Sequence, residues 1–497
     1  MKKLLLTILG LACMLGAAHA QYGILDPAFG NGTPAGTDLF ITPGVGTFQF
    51  AVAIQGDGKI LLGNGGEPLG LGRLNSNGLL DATFGNGGWD STGLFALESL
   101  VPLGNGQILA AGKPTNISYG DIYVWRFNAD GSHDETFGYG GRAGDSSMGA
   151  GYERIALQGS NIIFSGASAV KRLDSSGITD ASFGNNGFVR GLPIYTSCSA
   201  VDSNLRIVLG GYTPSLHVAL IRLTADGQLD PTFGAGGIDS INESVNALYS
   251  TQAVRITPAG KVILASDYID AFNNNHVVLA QFNASGAPDN TFGGTGIVYP
   301  DWGTYHGYEF FGGIALGDTG QVLVASSSLD SANLANNTDI AILRFNSNGA
   351  LDTAFGKPRL DIDEGVDNVE AIAVGPDGKP VVNGSTYGIY TAEVVARFTI
   401  GYPSGITGVT GPSLSLGFYP NPVGSAGTLS FTLPVADMLS AAIYSMDGRM
   451  VRQVYQEQKM EAGTHTTGIS LTGMAAGMYQ VVLTGATGTA HVALVRE

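Results

Sequence analysis

One segment of the sequence combines aromatic rings with hydrogen-bonding groups, a combination that binds sugars. Aromatic faces stack on the apolar faces of sugar rings, while Asp or His side chains fix hydroxyl groups. The residues of this candidate ligand-binding loop are Asp301, Trp302, Tyr305, His306 and Tyr308. The alternative is that these rings only cover the edges of neighbouring strands.

Catalytic chemistry has no comparable signal. The sequence has no Gly-x-Ser-x-Gly elbow and no phosphate-binding loop, and its histidines lack the spacing of metal ligands. Asp361, Asp363 and Glu364 lie together, but they do not continue the alternating pattern of a calcium loop, so we interpret them as solvated charge. The sequence therefore predicts no catalytic residue, no metal and no cofactor, and it favours a protein that is not an enzyme.

The elements that carry the candidate loop belong to a repeat. The sequence Asp-x-x-Phe-Gly occurs seven times, with about 46 to 63 residues between successive phenylalanines. A period of this length is typical of stacked or radially arranged supersecondary units. Each unit contains short β-branched runs separated by Gly, Pro, Asn and Asp, which predicts antiparallel strands. The phenylalanines are Phe29, Phe84, Phe137, Phe183, Phe233, Phe292 and Phe355.

An Arg stands eight residues before nearly every repeated Asp, and a Gly lies between the two. This constant spacing predicts a structural turn, in which the Asp caps its own backbone or pairs with the Arg. Gln281 replaces the Arg in one unit, which favours capping for at least part of the role. The predicted structural residues include Arg73, Asp81 and Phe84, then Arg126, Asp134 and Phe137, and also Arg222, Asp230 and Phe233.

The last unit has Arg397 but lacks the Asp-x-x-Phe-Gly that should follow it. Asp26 to Gly30 supply that sequence near the other end of the chain. A chain that begins with the end of a repeat and finishes with its start suits a closed ring without open edges. We therefore predict an all-β fold with a seven-bladed β-propeller over residues 21–400, built of repeats of about 54 residues.

Composition and the first residues predict export. Residues 1–20 read as a signal peptide, with Lys2 and Lys3 before an apolar core and a small-residue cleavage site. No other apolar run is long enough for a transmembrane segment, and Cys198 would be the only cysteine of the mature chain. The formal charge of −17 argues against nucleic acid as a partner.

Two resemblances to known families cover most of the chain. Gly-Asp-Gly-Lys-Ile-Leu at 56–61, followed by the Arg and Asp-x-x-Phe-Gly pattern to residue 85, resembles the delta-60 repeat of bacterial β-propeller proteins. That family implies the propeller fold and says little about activity. After a Gly- and Ser-rich linker at 401–417, residues 418–497 read as a small antiparallel β-sandwich.

This C-terminal segment resembles the type A sorting domain of the type IX secretion system. The residues that carry the resemblance are Tyr419, Pro420, Asn421 and Pro422, then Asp447 and Gly448, then Gly477 and Tyr479. The resemblance implies that the secretion machinery is a partner and that the source is a Bacteroidetes-type bacterium. It also implies a protein that is secreted or attached to the outer surface, often after the tail is removed.

The favoured function is therefore an exported, cell-surface or released propeller that binds a glycan or a protein without catalysis. Propellers present loops around a central channel, which suits recognition. The alternative is a secreted hydrolase or lyase that acts on polysaccharide, with carboxylates at the channel mouth. Two carboxylates from positions outside the repeat, gathered in one pocket, would favour the enzyme.

Overall fold

The structure is a computed structural model of the 497-residue chain. It divides into two compact units, a larger one over Gly23–Ile400 and a smaller one that contains Gly401–Glu497. The residues that the structure describes are 25–32, 37–41, 49–64, 70–90, 95–114, 122–145, 148, 154–166, 169–244, 252–270, 274–302, 309–317, 319–329, 338–353, 355–362, 365–387, 391–399, 415–419, 423–433, 435–445, 450–475, 477–485 and 488–496.

The described part of the larger unit consists of strands, turns and loops. Its strands are β1 (Thr37–Ile41), β2 (Gln49–Ile54), β3 (Ile60–Asn64), β4 (Gly70–Leu74), β5 (Phe95–Pro102), β6 (Ile108–Pro114), β7 (Ile122–Phe127), β8 (Arg142–Asp145), β9 (Arg154–Gln158), β10 (Asn161–Ser165), β11 (Ala169–Leu173), β12 (Phe188–Arg190), β13 (Tyr195–Val201), β14 (Ile207–Tyr212), β15 (His217–Leu223), β16 (Ile238–Ser244), β17 (Gln252–Ile256), β18 (Val262–Ile269), β19 (Asn275–Phe282), β20 (Ile297–Val298), β21 (Glu309–Leu316), β22 (Val322–Leu329), β23 (Thr338–Phe345), β24 (Arg359–Leu360), β25 (Val366–Val374), β26 (Pro380–Tyr387) and β27 (Thr391–Arg397).

These strands form seven antiparallel sheets within the described residues. In chain order they are sheet 1 (β2-β3-β4), sheet 2 (β5 to β8), sheet 3 (β9 to β12), sheet 4 (β13 to β16), sheet 5 (β17 to β20), sheet 6 (β21 to β24) and sheet 7 (β25-β26-β27-β1). The first strand of each sheet contacts the first strand of the next, and β25 of sheet 7 contacts β2 of sheet 1. The predicted all-β propeller is confirmed.

The hydrophobic cores lie between adjacent sheets. One cluster joins Ile263 and Leu279 of sheet 5 to Val324 and Leu343 of sheet 6. Because a middle strand has a neighbouring sheet on both of its faces, it is buried on both sides, as in β3, where every residue is buried. Such strands read as continuous apolar runs instead of alternating ones.

The N-terminal segment completes the last sheet. Strand β1 pairs with β27, with Thr37 opposite Ala396 and Ile41 opposite Ala392. Phe29 lies in a core cluster between sheet 7 and sheet 1. Residues from both ends of the larger unit therefore close the ring, and β1 supplies the outer strand of sheet 7.

The smaller unit contains two antiparallel sheets around one core. Its strands are β28 (Ser415–Tyr419), β29 (Ala426–Leu433), β30 (Asp437–Ser445), β31 (Met450–Met460), β32 (Gly463–Ser470), β33 (Gly477–Gly485) and β34 (Gly488–Arg496). The sheet orders are β28-β29-β32 and β31-β30-β33-β34. Leu429 and Phe431 of the first sheet share a core with Ile443 and Val481 of the second. Pro420, Asn421, Pro422, Asp447 and Gly448 lie outside the described residues.

Candidate functional site

The predicted ligand-binding loop places its Trp in the core. Trp302 is 3% exposed and packs in the cluster between sheets 5 and 6, beside Phe311 and Ile314. Its ring therefore fills the space between sheets, which agrees with the alternative of edge covering and removes an exposed stacking face. Asp301 is exposed and pairs with Lys357 at 3.4 Å.

The other predicted residues of this loop, Tyr305, His306 and Tyr308, lie outside the described residues. Their binding role stays a prediction. Next to them, the structure brings Tyr299, which is 50% exposed, against Tyr268 with ring centroids 5.6 Å apart. Tyr268 also stacks on His276 at 5.2 Å. His276 in turn lies between Asp270 and Glu309, so this surface is held by a polar network within the protein.

The repeated residues form what we call the clamp: the Arg or Gln, the Asp eight residues later and the Phe three residues after that. In the clamp of sheet 1, Nε of Arg73 donates to Oδ2 of Asp81 at 2.9 Å. Oδ1 of Asp81 accepts hydrogen bonds from the backbone N and the hydroxyl of Thr83. The Asp thus caps its turn with one oxygen and pairs with the Arg through the other.

The guanidinium of Arg73 also binds two further groups. It lies 4.3 Å from the centroid of the Phe84 ring, and its Nη1 donates at 2.6 Å to the carbonyl of Ala129 in the turn of the next repeat. Burial alone would raise the pKa of Asp81. Hydrogen bonds from Thr83 and Lys59 and the charge of Arg73 have the larger, opposite effect, so the pKa lies well below its usual value. The clamp is a satisfied structural unit that ties one sheet to the next.

Two clamps test how far this structural role extends. Where Gln281 replaces the Arg, its Nε2 donates to Oδ2 of Asp289 at 2.7 Å, and Lys261 supplies the positive charge at 2.6 Å. At the closure of the ring, Arg397 and Lys379 both bind Asp26, at 2.9 and 2.6 Å. The repeated Asp residues whose partners are described therefore bind other residues of the scaffold.

A different set of charged residues lines a cavity of about 280 Å³ at the centre of the larger unit. The lining residues come from the first strands of all seven sheets. Their charged members are Glu98 of β5, Arg154 of β9, Arg255 of β17 and Glu370 of β25, and the thiol of Cys198 lies beside them. None of these positions belongs to the clamp.

Irregularities in the first strands place two of these carboxylates. The register of β5 shifts between Leu97 and Ser99, and the register of β25 shifts between Val369 and Ala371. Glu98 and Glu370 are thus the extra residues of two β-bulges. A bulge re-aims the side chain of its unpaired residue, and bulges are frequent next to functional sites.

The two ends of the cavity differ in charge. Glu98 pairs with Lys113 at 3.2 Å and with Arg154 at 3.7 Å. Arg255 lies close enough to Arg154 for the two positive charges to repel each other. No ion pair joins Arg255 to any carboxylate of the described residues, and its one hydrogen bond goes to the carbonyl of Val254 at 3.0 Å. Sheets 3 and 5 therefore bring two guanidiniums to this side of the cavity.

Glu370 lies apart from these cations. Burial raises its pKa to about 7, and no positive charge is near enough to lower it. Burial also lowers the pKa of Arg255 and raises the pKa of Cys198 to about 11. Glu370 is consequently part protonated at neutral pH, while the Cys198 thiol stays protonated and unreactive.

A third group of carboxylates lies between sheets 6 and 7. Oxygen atoms of Asp339, Asp361 and Asp367 lie within 4.8 Å of one another. Arg359 binds Asp339 at 3.2 Å, and the backbone N of Ile362 donates to Asp367 at 2.6 Å. We interpret the group as part of the packing at this edge. Asp363 and Glu364, which the sequence placed beside Asp361, lie outside the described residues.

Sequence reasoning missed the cavity, although one local signal marks its bulges. Gly112, Gly211 and Gly384 lie on second strands, opposite the residues that precede a register shift. A Cβ at any of them would lie 1.9 Å from a carbonyl oxygen of the first strand. An isolated Gly in a strand suggests a bulge or close backbone approach. Reading these glycines that way would have pointed to Glu98 and Glu370.

Comparison with known families agrees with this architecture. Residues 417–495 match the secretion system C-terminal sorting domain. The segments 103–137, 206–233, 257–292 and 318–355 match a β-propeller domain of unknown function, DUF5122. The chain is thus a β-propeller protein that carries a type IX secretion sorting domain, which indicates a secreted or cell-surface protein. No curated protein matches it.

Solved structures similar to this chain include several enzymes. The GH74 xyloglucanase from Xanthomonas campestris has 12% identity and a TM-score of 0.41, over 79% of this chain and 59% of that one. The soluble aldose sugar dehydrogenase from Escherichia coli has 12% identity and a TM-score of 0.38, over 73% and 99%. At these values no function is transferred. Among the described residues, no helix is long and apolar enough to cross a membrane.

Proposed function

We propose that the larger unit is a seven-bladed recognition module that binds an extracellular glycan in its central cavity without catalysis. Residues 1–20 would direct the first step of export, and the sorting domain would bring the protein to the type IX secretion machinery. The module would then act on the cell surface or after release. The alternative within this proposal is that the same cavity binds a protein instead of a glycan.

The observation that carries the proposal is the contrast in residue type around the ring. The clamps repeat the same residues, whereas the cavity is lined by polar residues that differ from strand to strand: Glu98, Ser99, Arg154, Ser199, Arg255 and Glu370. Structural positions in this repeat keep one chemistry. Convergent polar groups of different type, in a concave site near the lower end of ligand-pocket volumes, are typical of binding.

A non-catalytic role agrees with the state of the charged groups. Glu98 already pairs with Lys113 and Arg154, which leaves it poorly placed to act as a nucleophile. Arg255 neither gives nor takes a proton near neutral pH. The cavity therefore offers hydrogen bonds and charge for recognition more readily than a matched acid and base.

One observation favours the second candidate, a polysaccharide hydrolase or lyase. Glu370 has a pKa of about 7, which suits a general acid at neutral pH. Glu98 is a second carboxylate from outside the repeat, and it pairs with Lys113 and Arg154. Two carboxylates in different environments are the usual basis of acid and base roles.

The test is a panel of soluble polysaccharides and oligosaccharides offered to the full chain, with binding and release of reducing ends measured together. We compare Glu370→Ala, which removes the hydrogen bonds of this side chain, and Glu370→Gln, which removes only its acid-base chemistry, with Asp301→Ala in the predicted loop. Binding lost in Glu370→Ala and kept in Asp301→Ala, without product, supports the proposal. Binding lost only in Asp301→Ala moves the site to the loop. Product release abolished by Glu370→Gln makes the protein an enzyme, and binding to no member of the panel refutes the glycan ligand.

A further inference from the structure

We infer that the cavity recognises an acidic saccharide by its carboxylate, which binds between Arg255 and Arg154. This inference rests on the proposed recognition function and adds the chemical class of the ligand. It depends on the unused hydrogen-bond donors of Arg255, on the charge of the rest of the protein and on the size of the cavity.

The position of Arg255 is the first step. Its side chain is exposed and lines the cavity, and desolvation by the surrounding protein lowers its pKa. A guanidinium has five N–H donors, and within the described residues that of Arg255 makes one hydrogen bond, to the carbonyl of Val254. The remaining donors are available to a ligand.

The charge around Arg255 is the second step. Arg154 is its charged neighbour, and the repulsion between them contributes to the lowered pKa of Arg255. Arg154 pairs with Glu98, which also pairs with Lys113. Two guanidiniums close together repel each other, and an anionic ligand group bound between them would relieve that repulsion.

The shape of two guanidiniums also determines which kind of anion binds best. Two planar forks bind a planar carboxylate with parallel hydrogen bonds, and such charge-assisted pairs are about twice as strong as neutral ones. The chain as a whole carries a formal charge of −17, which repels long polyanions. A compact ligand with a single carboxylate avoids that repulsion and still gains the local attraction.

The opposite side of the cavity suits the rest of a sugar. Among the described residues no cation lowers the pKa of Glu370, which is half protonated at about pH 7. A carboxyl group in this state both donates and accepts hydrogen bonds, which matches a sugar hydroxyl. With about 280 Å³ of space, the cavity is near the size of the smallest ligand pockets. These features together describe a uronic acid residue, with its carboxylate toward Arg255 and its hydroxyls toward Glu370.

The experiment compares pairs of sugars that differ only in the carboxylate. Calorimetric titration of the full chain uses glucuronic and galacturonic acid against glucose and galactose, at low and high salt. We expect a uronate to bind at least about tenfold more tightly than its neutral partner, since a hydrogen bond to a charged group contributes more than one tenfold step. Binding should weaken with salt, and Arg255→Gln should remove the preference.

The control variant is Arg142→Gln, which changes the net charge equally at an exposed Arg that packs over Tyr123, away from the cavity. Thermal unfolding of each variant verifies the fold, and Arg255→Lys, which keeps the charge and loses the fork, should recover only part of the preference. The inference is overturned if the neutral sugars bind as tightly as the uronates, a result that leaves glycan recognition intact. If no saccharide binds, both proposals fail. Binding of oligo-glutamate alone, abolished by Arg255→Gln, would make the ligand an acidic protein segment.

Discussion

The clamps and the central cavity differ in how their charged side chains are paired. In the clamp of sheet 4, Arg222 is 2% exposed and its Nε donates to Asp230 at 2.7 Å, while its guanidinium also lies against the Phe233 ring. In the cavity, Arg255 has no carboxylate partner among the described residues, and Glu370 has no cation near it. The same residue types are structural where their pairing is complete and available for a ligand where it is not.

This difference follows the repeat. A residue that occurs at the same place in each unit does the same work in each unit, which here is to join neighbouring sheets. The first strands line the central cavity, where the polar side chains do not follow the repeat. For this reason we base the proposed site on the residues that vary around the ring and not on the repeated motif.

The largest effect is expected from the loss of the closing clamp. Deleting residues 21–31 removes Asp26 and Phe29, and with them the hydrogen bonds of Arg397 and Lys379 and a fully buried ring. We expect the free energy of unfolding to fall by at least about 5 kcal/mol, since a buried pair and a buried Phe each contribute several kcal/mol. Chemical denaturation measures the loss, and an unchanged midpoint would refute closure by this segment.

The second prediction breaks a clamp inside the ring. Asp230→Ala leaves Arg222 buried without its carboxylate and leaves the hydroxyl and backbone N of Thr232 without their acceptor. The expected cost is about 3–5 kcal/mol. Asp226→Ala is the matched control, because Asp226 is an exposed residue of the same turn region. A loss below about 1 kcal/mol would mean that the clamp is dispensable.

The clamps could be predicted from the sequence, whereas the sequence carries a local signal only for the bulges of the cavity and none for the way its residues come together. The Arg, Asp and Phe of a clamp lie within twelve residues, so their spacing indicates a local turn. The position of Asp26 near the N-terminus also predicted that this segment closes the ring. The cavity residues lie on strands far apart in the chain, and only the ring brings Glu98, Arg154 and Arg255 together. Composition also misled at Trp302, because an aromatic-rich segment looks the same whether its rings cover a surface or fill a core.

The third prediction concerns the pH dependence of the cavity. The pKa of Glu370 is raised from 4.5 to about 7 in the folded protein, which corresponds to about 3 kcal/mol at 1.36 kcal/mol per pKa unit. This contribution to stability is complete below pH 4.5 and is lost as the pH rises through about 7. Glu370→Gln should therefore stabilise the protein by up to about 3 kcal/mol at pH 9 and change little at pH 4. Equal effects at both pH values would contradict the buried carboxyl.

The last prediction applies one substitution to both regions. Arg222→Gln should lower the free energy of unfolding by about 2 kcal/mol, because Gln keeps one hydrogen bond to Asp230 but loses the contact with Phe233 and the bond to the carbonyl of Ala284. Gln281 shows that the ring accepts Gln at this position when a Lys supplies the charge. Arg255→Gln removes a charge that has no counter-ion, so we expect no loss and a gain of up to about 1 kcal/mol. Denaturant unfolding of the two variants beside the parent chain decides the matter. If Arg255→Gln costs as much as Arg222→Gln, then Arg255 is a structural residue, and the contrast between satisfied clamps and an available cavity is lost.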